Sequence, residues 1–185
     1  KGVLEAREIL IAILKGMGEI WPDGSWIDNV AIGDAGYHEV VKRSDITDGI
    51  VPFHKLSQWM SYSLIEPIQE AGFKVNNLDA LTGLAEYRNG GLFIDTKAIS
   101  LKDRTQLEVV HDPKSPLVVE WRALTVVLLD KLAEKIRRST NTDSGSMPLA
   151  SILQGGTWSA GRRIAQQLRA NGVPPLQLNS RGTIF

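Results

Sequence analysis

Apolar positions recur at helical spacing in several stretches of the chain, divided by runs of Gly, Asp and Pro. Val3, Leu4, Ile9, Leu10, Ile13 and Leu14 alternate with Glu5, Arg7, Glu8 and Lys15, which predicts an amphipathic helix over 3–17. Trp21-Pro22-Asp23-Gly24 ends it, and the Gly- and Asp-rich stretch up to Gly49 reads as a long loop with short strand or turn pieces. Phe53, Leu56, Trp59, Met60, Leu64, Ile65 and Ile68 predict a second helix over 52–71. Pro52 suits its first turn, Asp48 is an upstream cap, Pro67 should kink or shorten it, and Gly72 stops it. A short helix capped by Asn76 or Asn77 is expected over 76–84. The segment 86–95 is also read as helical, although Gly90 and Gly91 oppose a regular helix interior. Residues 101–113 are charged and should be exposed.

The clearest helix lies over 116–138. Ser115 stands at the N-cap and Pro116 at the first position. Leu117, Val118, Val119, Trp121, Ala123, Leu124, Val126, Val127, Leu128, Leu129 and Leu132 make it apolar nearly all round, which predicts burial on most sides. A short helix over 148–153 should stop at Gly155-Gly156. Thr157 should then cap a helix through Ala170, ended by Asn171-Gly172. Leu176-Gln177-Leu178 and Thr183-Ile184-Phe185 flank a polar turn and predict a small C-terminal β-hairpin. The fold class is therefore mainly α with a minor β element.

Composition narrows the chemistry. The 21 Lys+Arg residues balance 21 Asp+Glu, so nothing marks a generic nucleic-acid binder, although a local basic pocket is allowed. With no cysteine and 3 scattered histidines, neither a thiolate zinc site nor an all-histidine metal site is expected, and no metal or organic cofactor is called for. No stretch is apolar and uncharged enough to span a membrane. A neutral, cysteine-free chain fits the cytoplasm. The chain lacks an initiator Met and opens inside an apparent helix, so residues 1–185 read as one domain portion, the C-terminal half of a longer protein.

Several charged residues lie inside apolar surroundings. Glu120 and Arg122 sit in the first turns of the most apolar helix, and a buried charge without a partner costs several kcal/mol. Two helical positions span roughly 200°, so each needs its own partner, in another segment or a ligand. They read either as structural ion pairs or as the wall of a polar pocket. Lys55 and Trp59 share a helical face, as do His54 and Gln58, and a lysine beside aromatics suits an anionic or planar ligand as well as an ordinary surface. Glu86-Tyr87-Arg88 sets a carboxylate, a phenol and a guanidinium beside Asn89-Gly90-Gly91, a grouping able to surround a sugar or phosphate. It has neither the dinucleotide nor the Walker spacing.

Four segments in order carry a resemblance: Val51-Pro52-Phe53-His54-Lys55-Leu56-Ser57-Gln58-Trp59, Leu81-Thr82-Gly83-Leu84-Ala85-Glu86-Tyr87-Arg88-Asn89-Gly90-Gly91, Val119-Glu120-Trp121-Arg122-Ala123-Leu124-Thr125 and Gly155-Gly156-Thr157-Trp158. Together they resemble the uracil-catabolism protein four family, over essentially the whole chain. The resemblance implies a role in a route that converts uracil to its nucleotide, opens the ring and ends in urea, with a ribosylurea-type intermediate. A more distant similarity links Phe53-His54-Lys55-Leu56-Ser57-Gln58, Glu86-Tyr87-Arg88 and Glu120-Trp121-Arg122-Ala123 to the queuosine salvage N-glycosylases. Those proteins have a helical, DNA-glycosylase-like architecture and place a catalytic Asp where this chain has Glu86.

These resemblances imply an N-glycoside hydrolase acting on a ribosylurea-like or pyrimidine nucleotide substrate. Glu86 would stabilise the positive charge developing on ribose or activate water, and Lys55 would hold Glu86 ionised. Phe53, Trp59 and Tyr87 are expected to stack on a base or sugar. Arg88 and Arg122 are expected to contact phosphate or a base edge, and His54, Gln58 and Glu120 to complete the substrate pocket. The expected partner is a small nucleotide or riboside, not a nucleic acid or a membrane. The alternatives are a non-hydrolytic nucleotide-binding or partner protein of the same pathway, and a ring-opening amidohydrolase.

Overall fold

The computed structural model describes residues 2–180 and 182. The chain is mainly helical. The principal helices are α1 (Ala6–Met17), α2 (Lys55–Glu70), α3 (Tyr87–Asp95), α4 (Pro116–Thr140), α5 (Leu149–Ile152) and α6 (Ser159–Leu168). The strands are short and pair only in twos. β1 (Val3–Glu5) runs parallel to β6 (Lys74–Asn76), and β7 (Val110–His111) runs parallel to β8 (Gln177–Leu178). β2 (Ser25–Ile27) with β3 (Val30–Gly33), and β4 (Ala35–Tyr37) with β5 (Ile50–Pro52), are antiparallel.

Helix α4 is the axis of the core. Leu129 and Ala133 pack with Phe93, Leu149, Ile152 and Leu153, while Val119 meets Phe53 and Ala85, and Val118 and Trp121 meet Leu176. Burying a side chain such as Leu129, 0% exposed, is worth about 1.5–3 kcal/mol. A separate cluster of Ala6, Ile9, Ile13, Val75 and Leu81 joins α1 to α2 and β6. Strand β4 passes hard against α4: a Cβ on Gly36 would meet Val119 Cγ2 at 2.5 Å, so only glycine permits this approach.

Several local expectations are corrected. Val3–Glu5 is a strand, not the first turn of α1, because its backbone pairs with 74–76. Residues 52–54 do not begin α2; Pro52 ends β5 and His54 adopts a left-handed φ of 51°, so the helix starts at Lys55. Asp48 does not cap it. Pro67 lies in its last turn, and the helix continues to Glu70. The 76–84 segment forms no α-helix: Asn76 ends β6 and Leu78–Ala80 is a 3-10 turn. Ser115 occupies the N-cap of α4, but its hydroxyl makes no cap bond. Gly155-Gly156 does not stop a helix: Leu153–Trp158 forms a π-helical stretch running directly into α6. Thr157 lies inside that stretch, and its hydroxyl donates to Asn89 Oδ1 at 2.9 Å. The first arm of the expected hairpin pairs with β7 instead, and its second arm, 183–185, lies outside the described residues.

Candidate functional site: a buried charge cluster beside an arginine-lined groove

The site is assembled where the β3–β4 junction, the start of α2, the start of α3 and the second turn of α4 meet. Asp34, 4% exposed, is its hub. Its carboxylate accepts two parallel bonds from Arg122, Nη1 to Oδ1 at 2.8 Å and Nη2 to Oδ2 at 2.7 Å. Oδ2 also accepts from the Lys55 backbone N–H at 2.9 Å, and the Asp34 carbonyl accepts from Phe53 N–H at 3.0 Å and His54 N–H at 2.9 Å. A residue twenty-one positions upstream thus satisfies the open donors at the start of α2. Arg122, 1% exposed, donates from Nε to the Ala85 carbonyl at 3.3 Å. Its guanidinium carbon lies 4.0 Å from the centre of the Phe53 ring. Bidentate pairing, a carbonyl and an aromatic face make this buried cation tolerable.

Glu86 caps α3. Its Oε2 accepts from Arg88 N–H at 2.9 Å and its Oε1 from Asn89 N–H at 2.6 Å, which fixes the carboxylate in one orientation. Burial pushes the carboxyl above its ordinary range, against the pull of those two N–H groups and of the Lys55 and Arg88 cations. Lys55 is buried and donates from Nζ to the Gly182 carbonyl at 3.1 Å. Burial first, and the Arg122 charge next, lower its ammonium to about 8, while Asp34 and Glu86 oppose the shift. Lys55 and Glu86 therefore share one field, although the lysine's hydrogen bond goes to the C-terminal segment.

His54 completes this corner. Its left-handed backbone is held by its N–H on Asp34 and by its carbonyl, which accepts from Gln58 N–H at 2.7 Å. Its Nδ1 is buried without a hydrogen-bond partner among the described residues. Burial chiefly lowers its pKa, Asp34 resists, and Arg122 adds to the fall. The Gln58 side chain, also buried, accepts from Thr82 N–H at 3.2 Å.

Not every candidate converges. Glu120 is exposed, which corrects the expectation that it would be buried with a partner. The roughly 200° between it and Arg122 turns one side chain inward and the other outward. Glu120 lines a separate groove of about 400 Å³ together with Ile94, Leu117 and Leu124. The same geometry leaves Leu124 and Val127 partly in solvent, so α4 is not buried all round. Trp59 stands 59% exposed on α2, away from buried Lys55, because Ser57, Gln58 and Ser61 form the inward face. Phe53 is core, with a ring face taken by Arg122.

Tyr87 and Arg88 open onto a polar groove of about 440 Å³, whose other lining includes Arg162, Gln166, Ser180 and Gly182. The Arg88 guanidinium lies 4.4 Å from the centre of the Trp158 ring and 5.4 Å from that of Tyr87. The groove exists because α6 lies directly on the first turn of α3: a Cβ on Gly161 would collide with the Arg88 carbonyl oxygen. Among the described residues, no group of three or more His, Cys, Asp or Glu side chains is placed to hold a metal ion, and no helix is long and apolar enough to cross a membrane.

Asp34 was not a candidate in the sequence, nor was Arg162. The trace of Asp34 is the run Ala31-Ile32-Gly33-Asp34-Ala35-Gly36, a lone carboxylate among small and apolar residues.

Fold and site define a helical protein with a buried charge cluster at the end of a cationic groove. The chain belongs to the family described as "Protein of unknown function (DUF1688)", matched over residues 1–185. It is 40% identical over 169 residues to Protein urg3 of Schizosaccharomyces pombe, covering 90% of this chain and 41% of that protein. It is 34% identical over 206 aligned positions to Uracil catabolism protein 4 of Lachancea kluyveri, covering 99% of this chain and 46% of that one. The chain thus spans less than half the length of either relative. No solved structure matches it at a significant level.

Proposed function

We propose that this chain carries an N-ribosyl hydrolase site of uracil catabolism, acting on a ribosylurea-like or pyrimidine nucleotide intermediate. The observation that carries the reading is the fixed, buried Glu86 carboxylate beside the cationic groove. The relative named Uracil catabolism protein 4 supports the pathway. In the reaction the bond between the anomeric carbon and nitrogen breaks, and its electron pair leaves with the nitrogen. Water adds to that carbon, one water proton passes to a base and the leaving nitrogen gains a proton. Ribose becomes oxocarbenium-like as the bond breaks, and a preorganised carboxylate stabilises that charge far better than reorganising water. Glu86, raised above the usual carboxylate range, is also suited to receive the proton of the attacking water. Lys55 acts on Glu86 through its charge, and Asp34 with Arg122 fixes the elements that present these two residues.

A non-hydrolytic nucleotide-binding role is favoured by one observation: both Glu86 oxygens already accept backbone N–H groups, as in a purely structural cap. The two readings separate when full-length protein is incubated with N-ribosylurea, uridine and uridine 5′-monophosphate. The hydrolase reading expects free ribose or ribose phosphate together with urea or base. Binding of these compounds without sugar release would leave the binding role in its place.

A further inference from the structure

Four arginines among the described residues pair with a carboxylate. Arg122 pairs with Asp34, Arg137 with Asp79, Arg138 with Glu134, and Arg169 with Asp95. The groove between α3, α6 and β8 is lined by two others, Arg88 and Arg162. Arg88, part-buried, is held between the Trp158 and Tyr87 rings, which fix the plane of its guanidinium without using its N–H fork. Among the described residues, no side-chain hydrogen bond or ion pair engages that fork, nor that of Arg162 on the facing helix. The groove lining contains no Asp or Glu among the described residues. The carboxylate whose field reaches Arg88 is Glu86, and both its oxygens are taken by backbone N–H groups.

Two local features build this arrangement. Gly161 lets α6 touch the α3 backbone at Arg88, which places the next residue, Arg162, across the groove from it. The π-helical turn before α6 brings Trp158 beneath Arg88 while Thr157 anchors to Asn89. Wide turns of this kind recur at functional sites. The groove also reaches the buried cluster, because Gly182, part of its lining, accepts from Lys55 Nζ.

We propose that the groove between Arg88 and Arg162 binds the phosphate of a sugar phosphate monoester, so that the substrate is the phosphorylated riboside and not the free one. Two guanidinium forks, one planar and immobilised, match a dianion with several acceptor oxygens. Gln166 adds an amide donor beside them. A groove of about 440 Å³ holds more than a bare ion, and with the phosphate between Arg88 and Arg162 the sugar would extend toward Gly182, the lining residue that Lys55 touches. The assignment names the substrate class for the site proposed above and rests on that reading for the direction of the sugar, although phosphate binding does not require hydrolysis.

The test is calorimetric titration of the full-length protein with ribose 5-phosphate, inorganic phosphate and ribose, repeated for Arg162→Met, Arg162→Lys and Arg88→Met. Ribose 5-phosphate is expected to bind more tightly than inorganic phosphate, and ribose only weakly. Arg162→Met, on an exposed position, should weaken ribose 5-phosphate about ten- to hundredfold without shifting Tm, leave ribose unchanged, and be partly rescued by lysine. Equal affinity for ribose and ribose 5-phosphate, or an unaltered Arg162→Met, overturns the assignment. Inorganic phosphate binding as tightly as ribose 5-phosphate replaces the sugar phosphate with a free-anion site. Hydrolysis fails separately: ribose 5-phosphate that binds as expected, with no sugar released from any riboside, sinks the hydrolase and keeps the phosphate site. Equal turnover of a riboside and its 5′-phosphate does the reverse.

Discussion

Arg122→Met removes one side chain and strands another. Methionine approximates the length of the aliphatic stem but leaves the Asp34 carboxylate, 4% exposed, without the two charge-assisted bonds of 2.8 and 2.7 Å that Arg122 supplies. The Ala85 carbonyl loses its donor as well. Breaking one side of a buried ion pair costs about 3–5 kcal/mol, mostly from the charge left behind. At about 2–4 °C per kcal/mol for a chain of this size, Tm should fall by about 6–20 °C. Urea unfolding of the full-length protein, followed by circular dichroism, reads the free-energy loss, and a thermal melt reads the Tm. The double variant Asp34→Asn with Arg122→Met removes the stranded charge and keeps an amide oxygen to cap Lys55 N–H, so it should be more stable than Arg122→Met alone. A loss below about 1 kcal/mol in Arg122→Met, or a double variant no better than the single, would refute the reasoning that Asp34 depends on this guanidinium.

Gly161→Ala should cost about 1–3 kcal/mol, since the new methyl meets the Arg88 carbonyl and α6 must move away from α3; chemical unfolding checks the stability and titration with ribose 5-phosphate the groove. Lys55 gives a pH signature. Its folded value, about 8 against an ordinary 10.5, means that the unfolded chain binds more protons between those values. Its contribution to stability should therefore rise as pH climbs from about 8 to 10.5, by at most about 1.4 kcal/mol per unit. The wild-type minus Lys55→Met stability difference across that window isolates it, and a difference flat with pH contradicts the burial of the ammonium. Leu129→Ala, at the centre of α4, should cost about 2–5 kcal/mol in the same unfolding assay.

Helix α4 was legible because its apolar run, Pro116 and the basic last turn all agree, and α1 and α2 because their apolar residues keep a helical period. Burial of Arg122 followed from the same pattern. The error over Glu120 came from treating an apolar composition as all-round burial, when helix geometry puts residues two apart on opposite sides. Asp34 was out of reach for a different reason. The partner of a buried arginine is chosen by tertiary approach, here Gly36 against Val119, and the small, apolar run around Asp34 does not say which cation it will meet. The strand at Val3–Glu5 and the π-helical turn at Leu153–Trp158 are likewise set by packing. Each is locally compatible with an ordinary helix or a stop, and its partner lies far along the chain.

The most direct measurement is single-turnover release of sugar from N-ribosylurea and uridine 5′-monophosphate by full-length wild type and Glu86→Gln, with ligand affinity and Tm recorded for both. Glutamine keeps the size and one acceptor oxygen at the start of α3 but removes the charge. The chemical step should slow by about 10²–10³ while binding survives. Release at the wild-type rate in Glu86→Gln would contradict the role given to this carboxylate.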